Sequence, residues 1–361
     1  MKSDKPVILV AFKEGGENGG PFVSHKRIID GYTSDKYELK PFVFPRSRVI
    51  LSPSGVKRLV KAIKAENAVA MLVVGLQLEG FVATIICLLA NIRIILAIHG
   101  SETEACDLIW PKRVIVNIIE GFTVQKADIV YGVSDYVSNW KVCKKAKKMF
   151  GTIYNLPKNH NQEEHNTKTV RKELGINDND VVVVSTGRIT VDKGYDILLQ
   201  IMECFKGREN VKFVIAGNGP YKPVIERRIQ QLNMDKQVFM LGYRADIDNI
   251  LSGSDLFIIC TKHETLCISL QEAGMHGLPL IATNVGGIPE VIDSSCGFLV
   301  ENEDVEGFVQ AINVFIDNPE LRKKMGVNAR KKIIEKFDSQ KIFEKLDEVF
   351  TDIIDIGCGD K

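Results

Sequence analysis

Glu264 and Glu272 stand eight positions apart within residues 262–290, KHETLCISLQEAGMHGLPLIATNVGGIPE, joined by an apolar run that ends in Gln271. An ideal helix rises about 1.5 Å per residue, so eight steps put the two carboxylates roughly 12 Å apart along the axis and about 80° out of phase. They cannot share one proton. Such a separation suits one acid at each end of an elongated ligand better than an acid and a base acting on one bond. If a helix begins near Ile268, Glu264 lies in the loop before it, and the amides of Thr265, Leu266, Cys267, Ile268 and Ser269 face the same space. Amides at a helix start favour phosphate. The pattern therefore fits a sugar near Glu264, a diphosphate over the helix start and a ribose near Glu272. Two solvated glutamates on a surface helix are the plainer account. Against it stands the crowding of Gly274, Gly277, Pro279, Gly286, Gly287 and Pro289 into the following turns, with Glu290 at another apparent helix start.

Upstream, TGRITVDKGYDILL places Arg188 and Lys193 five apart in a short loop that enters a helix at Gly194. Two cations there suit a diphosphate, whose negative charge grows as its bond to a sugar breaks. Near the N-terminus, residues 14–21, EGGENGGP, form a Gly-rich strand-to-helix turn in which backbone can approach a ligand. The spacing is not G-x-G-x-x-G, which argues against a nicotinamide-dependent oxidoreductase. Gly19 and Gly20 are candidates for contact with a diphosphate, a plain loop being the alternative. His99 and Gly100 follow an apolar run, at the carboxyl end of a strand where α/β sheets collect ligands.

The pattern E264-x7-E272-A, then G277-x-P279, then G286-G287-x-x-E290, resembles the retaining nucleotide-sugar glycosyltransferases of family 4, and Arg188 and Lys193 extend the likeness upstream. The resemblance implies the GT-B fold: two Rossmann-like α/β domains with parallel sheets facing a central cleft. It implies that His99 contacts the donor sugar and that the segment LGYR, with Tyr243, lies against the nucleotide base. It further implies front-face transfer with retention, in which the leaving phosphate helps deprotonate the acceptor and no metal or other cofactor takes part. Family members usually carry Gly where Cys267 stands, and often an acid where Asn218 stands. A GT-B epimerase, an inverting transferase and a non-catalytic nucleotide-sugar binding protein are the alternatives.

Positioning these residues requires strands alternating with helices. The continuous apolar run at 7–12 reads as a buried parallel strand, further strands are expected at 37–44, 68–74, 92–98 and 127–133, and a second set follows at 181–185, 211–216, 237–241, 256–260 and 280–283. Residues 158–179 turn polar, which marks a junction. The expected division is an acceptor-side domain at 1–165, a donor domain at 166–337, and a helix at 338–361 that, in the family, crosses back to the first domain. Residues 80–98 are apolar enough to suggest a membrane span, but Asn91 and Arg93 break the run into a helix and a strand.

The 361 residues suffice for two domains. Lys plus Arg (47) nearly balances Asp plus Glu (46), so no global field draws the chain to nucleic acid. Eight cysteines without C-x-x-C pairing, and no recognisable signal peptide, suggest the reducing cytoplasm. The run WKVCKKAKKMF, with Lys141, Lys144, Lys145, Lys147 and Lys148, reads as a solvated helix face or as a contact with anionic lipid at the inner membrane. The latter would suit a lipid-linked or saccharide acceptor in bacterial surface polysaccharide assembly. Asp246 and Asp248 form a D-x-D that reads as a capped helix start rather than a metal site.

Overall fold

A computed structural model of the chain describes residues 5–14, 20–45, 52–105, 109–158 and 169–359. It forms two compact units, Met1–Leu156 with Phe337–Lys361, and Pro157–Lys336.

The first unit is built on six parallel strands, β1 (Val7–Lys13), β2 (Glu38–Phe44), β3 (Ala70–Val74), β4 (Arg93–Ile98), β5 (Ile129–Gly132) and β6 (Met149–Thr152), in the order β2-β1-β3-β4-β5-β6. β1, β3, β4 and β5 are covered on both faces, which is why they read as unbroken apolar runs. On one face, helices Pro53–Ala65, Leu78–Ala90 and Lys112–Lys126 pack side by side, with Leu59, Ile86 and Val124 against Leu9, Met71 and Leu96. On the other, Ile28 of helix Gly20–Gly31 and Ile342, Leu346, Val349 and Ile353 of helix Ser339–Gly359 bury against Ile8, Val10, Leu72 and Ile95. The spacing 342, 346, 349, 353 is one stripe of a helix, and each such side chain contributes about 1.5–3 kcal/mol on full burial. The apolar run 80–98 divides where Asn91 takes a left-handed conformation (φ 56°, ψ 44°) that caps one helix and turns the chain into β4.

The second unit has strands β7 (Val181–Thr186), β8 (Val211–Ala216), β9 (Val238–Gly242), β10 (Leu256–Ile259), β11 (Leu280–Thr283) and β12 (Gly297–Val300), all parallel, in the order β12-β11-β10-β7-β8-β9. From β7 the chain works outward through β8 and β9, then returns to the far side of β7 to lay down β10. The direction of winding therefore reverses between β7 and β10, and ligands of such sheets lodge in the crevice beyond the strand ends at that reversal.

Two expectations need correcting. WKVCKKAKKMF is not a helix face: Lys141–Lys145 form a short 3-10 turn that buries Val142 and Cys143, and β6 begins at Met149. Lys147 pairs with Asp128 at 3.1 Å and Lys148 with Asp352 at 2.6 Å. Asp246 precedes helix Ile247–Ser252, yet its carboxylate caps no backbone amide and binds the Arg244 guanidinium instead. Among the described residues no helix is long and apolar enough to cross a membrane.

Candidate functional site

Lys193 and Glu264 lie on the two sides of the winding reversal. Lys193 sits in the loop after β7 and Glu264 in the loop after β10, and because those strands are neighbours the side chains meet at 2.6 Å. Both are mostly shielded, at 23% and 15% exposure. Burial alone would lower the Lys193 pKa, but the charge of Glu264 and its hydrogen bond outweigh burial and raise it, so the ammonium stays charged. The same two loops are joined elsewhere: Lys262 donates its amide to the Asp192 carbonyl at 3.0 Å, and its ammonium binds Asp196 at 2.9 Å.

Gly194 makes this approach possible. It has φ 70°, and a Cβ built on it would lie 1.7 Å from the Cys260 carbonyl oxygen, so any side chain would force the loops apart. Gly287 does the same for a third loop, the one after β11. Its Cβ would fall 2.0 Å from the Thr265 carbonyl oxygen, and its amide donates to the Glu264 carbonyl at 3.1 Å.

The helix that follows Glu264 spans Ile268–Met275 and carries Glu272, half-buried, on its second turn. The amide cradle is narrower than expected, since the Thr265 amide donates to the Glu264 carboxylate at 3.2 Å. The first-turn amides from Ile268 onward have no acceptor within the helix. The Leu266 side chain is wholly buried. Cys267, where a glycine was expected, nevertheless takes the left-handed backbone (φ 71°, ψ 86°). Its side chain is 95% buried, and burial pushes its thiol pKa up to about 12. It is not a reactive thiol at neutral pH.

Arg188 is exposed in the loop after β7, which is tied to the loop after β8 by Ile189 donating to the Asn218 carbonyl at 2.9 Å and Tyr221 donating to that of Ile189 at 3.1 Å. Tyr243, 65% exposed, follows β9 at the same carboxyl end of the sheet. Its neighbour Arg244 is a structural clamp, bidentate to Glu173 and to Asp246.

In the first unit, His99 follows β4 and its Nε2 lies 3.4 Å from Nε2 of His25, which is wholly buried on helix Gly20–Gly31. Burial lowers the pKa of both rings, His25 to about 4, and His25 further disfavours charge on His99, so the pair is neutral at physiological pH. Gly20 opens that helix; Gly19 lies outside the described residues. Sequence reasoning passed over Glu120, which is 1% exposed and accepts from Ser101 Oγ (2.8 Å), the Glu102 amide (2.8 Å) and Thr103 Oγ1 (2.6 Å). It holds the loop after His99 in one shape. Its helix is otherwise marked by apolar residues, so a lone buried acid was the available signal. Among the described residues no group of three His, Cys, Asp or Glu side chains is placed to hold a metal ion.

Residues 166–332 match the family model for glycosyl transferases group 1. The chain is 30% identical over 189 residues to a UDP-Gal:alpha-D-GlcNAc-diphosphoundecaprenol alpha-1,3-galactosyltransferase of Escherichia coli, covering 51% of this chain and 48% of that protein. It is 26% identical over 337 residues to the capsular polysaccharide biosynthesis glycosyltransferase CapM of Staphylococcus aureus, covering 88% of each. Its fold is similar to the crystal structure of Anabaena Alr3699/HepE in complex with UDP and glucose, with a TM-score of 0.81 at 20% identity over 95% of this chain and 99% of that one.

Proposed function

Taking as premise that the chain is a glycosyltransferase of GT-B fold with a group 1 glycosyl transferase domain, we propose that it moves a sugar from a nucleoside diphosphate donor to an acceptor hydroxyl with retention at the anomeric carbon. The observation that carries this reading is the Lys193–Glu264 pair bridging the winding reversal of the second sheet. In this reading the ammonium serves the diphosphate and the carboxylate serves the sugar.

In the reaction, the bond from the anomeric carbon to the β-phosphate oxygen breaks and a bond to the acceptor oxygen forms on the same face. The acceptor's proton passes to the departing phosphate. Arg188 and Lys193 neutralise the charge that grows on that phosphate, and the start of helix Ile268–Met275 adds its dipole. Glu264 holds sugar hydroxyls, Glu272 the ribose and Tyr243 the base. His99, being neutral and with its Nε2 set against His25, offers its Nδ1 to the sugar rather than a charge. No metal or other cofactor enters this scheme.

The acceptor is a lipid-linked saccharide in bacterial surface polysaccharide synthesis, a reading supported by the names of the Escherichia coli and Staphylococcus aureus relatives. The test is hydrolysis of a panel of nucleoside diphosphate sugars by the protein and by Arg188→Ala. Turnover of one donor that drops by about 10²-fold or more in the variant, with stability within about 0.5 kcal/mol, is the expected result. Inactivity on every donor, or an unaffected Arg188→Ala, refutes the assignment. Proton NMR of the product's anomeric signal decides between retention and inversion.

A further inference from the structure

The helix layer of the first unit has an unusual outer surface. Helix Lys112–Lys126 turns Glu120, Thr123 and Val124 inward, yet its outward side carries Val114, Ile115 and Ile118 at 43%, 56% and 65% exposure. Ile109 and Trp110, just before it, are 83% and 77% exposed. Leu88 and Leu89 on the adjoining helix add 42% and 55%. An outward helix face ordinarily carries polar residues, and a monomer rarely leaves this much contiguous apolar surface in water.

The charges around this patch are predominantly cationic, with Glu66 exposed at the end of the first helix as a counter-charge. Helix Pro53–Ala65 exposes Lys57, Arg58, Lys61 and Lys64 and contains no acid, and Lys57, Lys61 and Lys64 line a groove with Val56, Val60 and Leu89. Arg113 and Lys126 are exposed on the third helix, whose one acid, Glu120, is buried and hydrogen-bonded, while Lys112 is paired with Glu102 at 3.4 Å. Glu79 of the middle helix is paired with Lys13.

We propose that this three-helix face docks on an anionic phospholipid surface, with Ile109, Trp110, Ile115 and Ile118 inserted at the headgroup boundary and the cations of helix Pro53–Ala65 against lipid phosphates. Exposed Trp and Ile beside Lys and Arg stems is the composition of an interfacial helix. A second copy of the chain is a poorer fit, because a two-fold contact would set this cationic surface against itself. The Lys141–Lys148 segment is not the docking element, since Lys147 and Lys148 are already paired. The inference is independent of the donor site, and if the acceptor is lipid-linked it places the enzyme where that acceptor resides.

The test is co-sedimentation of the full chain with vesicles of phosphatidylcholine, alone or mixed with phosphatidylglycerol. The protein should bind only the mixed vesicles, and added salt should weaken binding. Trp110→Ser with Ile118→Gln, both at exposed positions, should reduce partitioning about tenfold or more. Lys57→Gln, Lys61→Gln and Lys64→Gln together should reduce it by about 10²-fold, at roughly fivefold per cation. Lys144→Gln should leave binding unchanged. Donor hydrolysis without vesicles should be unaltered in all of these, so failure of membrane binding and failure of the enzymatic reading are separate results. The proposal is overturned by no binding to anionic vesicles at low salt, by binding that the patch variants do not change, or by a dimer in light scattering that Trp110→Ser dissolves.

Discussion

Replacing Lys193 by Met keeps the stem of the side chain and removes its charge, leaving Glu264 in place at 15% exposure. At 2.6 Å and an effective dielectric of about 20, the lost attraction is roughly 6 kcal/mol before desolvation is counted. Returning the ammonium's hydration offsets much of that. The carboxylate left behind is shielded but not sealed, so the net cost falls between that of an exposed pair and a fully buried one, about 2–3 kcal/mol. Turnover should fall further than stability suggests, by about 10²–10³-fold, because the ammonium also neutralises the departing diphosphate. The assay is release of nucleoside diphosphate under saturating donor, alongside urea unfolding of Lys193→Met, Glu264→Gln and the double variant. The double variant should recover part of the lost stability, with a coupling of about 1–3 kcal/mol, and none of the lost turnover. If Lys193→Met keeps kcat within about threefold, or if turnover returns with stability in the double variant, the pair is structural and the reasoning fails.

Gly194→Ala should destabilise the second unit by about 3 kcal/mol or more, since the Cβ has no room against the Cys260 carbonyl, and it should abolish turnover at temperatures where the variant stays folded. Cys267→Gly should retain activity, because glycine accepts the φ of 71° directly, whereas Cys267→Val should lose about 2–3 kcal/mol in thermal unfolding. Iodoacetamide should label Cys267 slowly at neutral pH in the native protein, its pKa lying near about 12. The folded-state pKa of His25, about 4, lies below its unfolded value of about 6.5, so the folded form binds fewer protons. Its contribution is complete above about pH 6.5 and is lost as pH falls toward 4, by up to about 3 kcal/mol; His25→Gln should flatten that part of an acid-unfolding profile.

The interior strands were legible because burial on both faces writes an unbroken apolar run, and β8 and β11 match their expected limits residue for residue. β6 and β12 were not, since four-residue edge strands such as MFGT and GFLV carry too little apolar pattern to stand out from a loop. The helix starts at Ile268, the start on which the expected amide cluster was conditional, although Cys267 gave no local signal of the left-handed turn before it. The partner of Lys193 was not legible, because it lies 71 positions away and meets Glu264 only through the adjacency of β7 and β10, which local spacing does not encode. Glu120 and the role of His25 escaped notice for a related reason. Each acts through a loop or ring brought to it by the sheet.

Helix Ser339–Gly359 is synthesised after every strand of both sheets, yet its Leu346, Val349 and Phe350 seal the sheet that β1 began. Until then Ile8, Val10, Leu72 and Ile95 lack part of their cover, while the intervening Pro157–Lys336 unit already has all of its own strands. The nascent N-terminal half therefore waits in a sticky, unfinished condition for its final lid. A stop codon before residue 339 should yield aggregates from this half, and supplying the missing segment as a separate peptide should return it to solution.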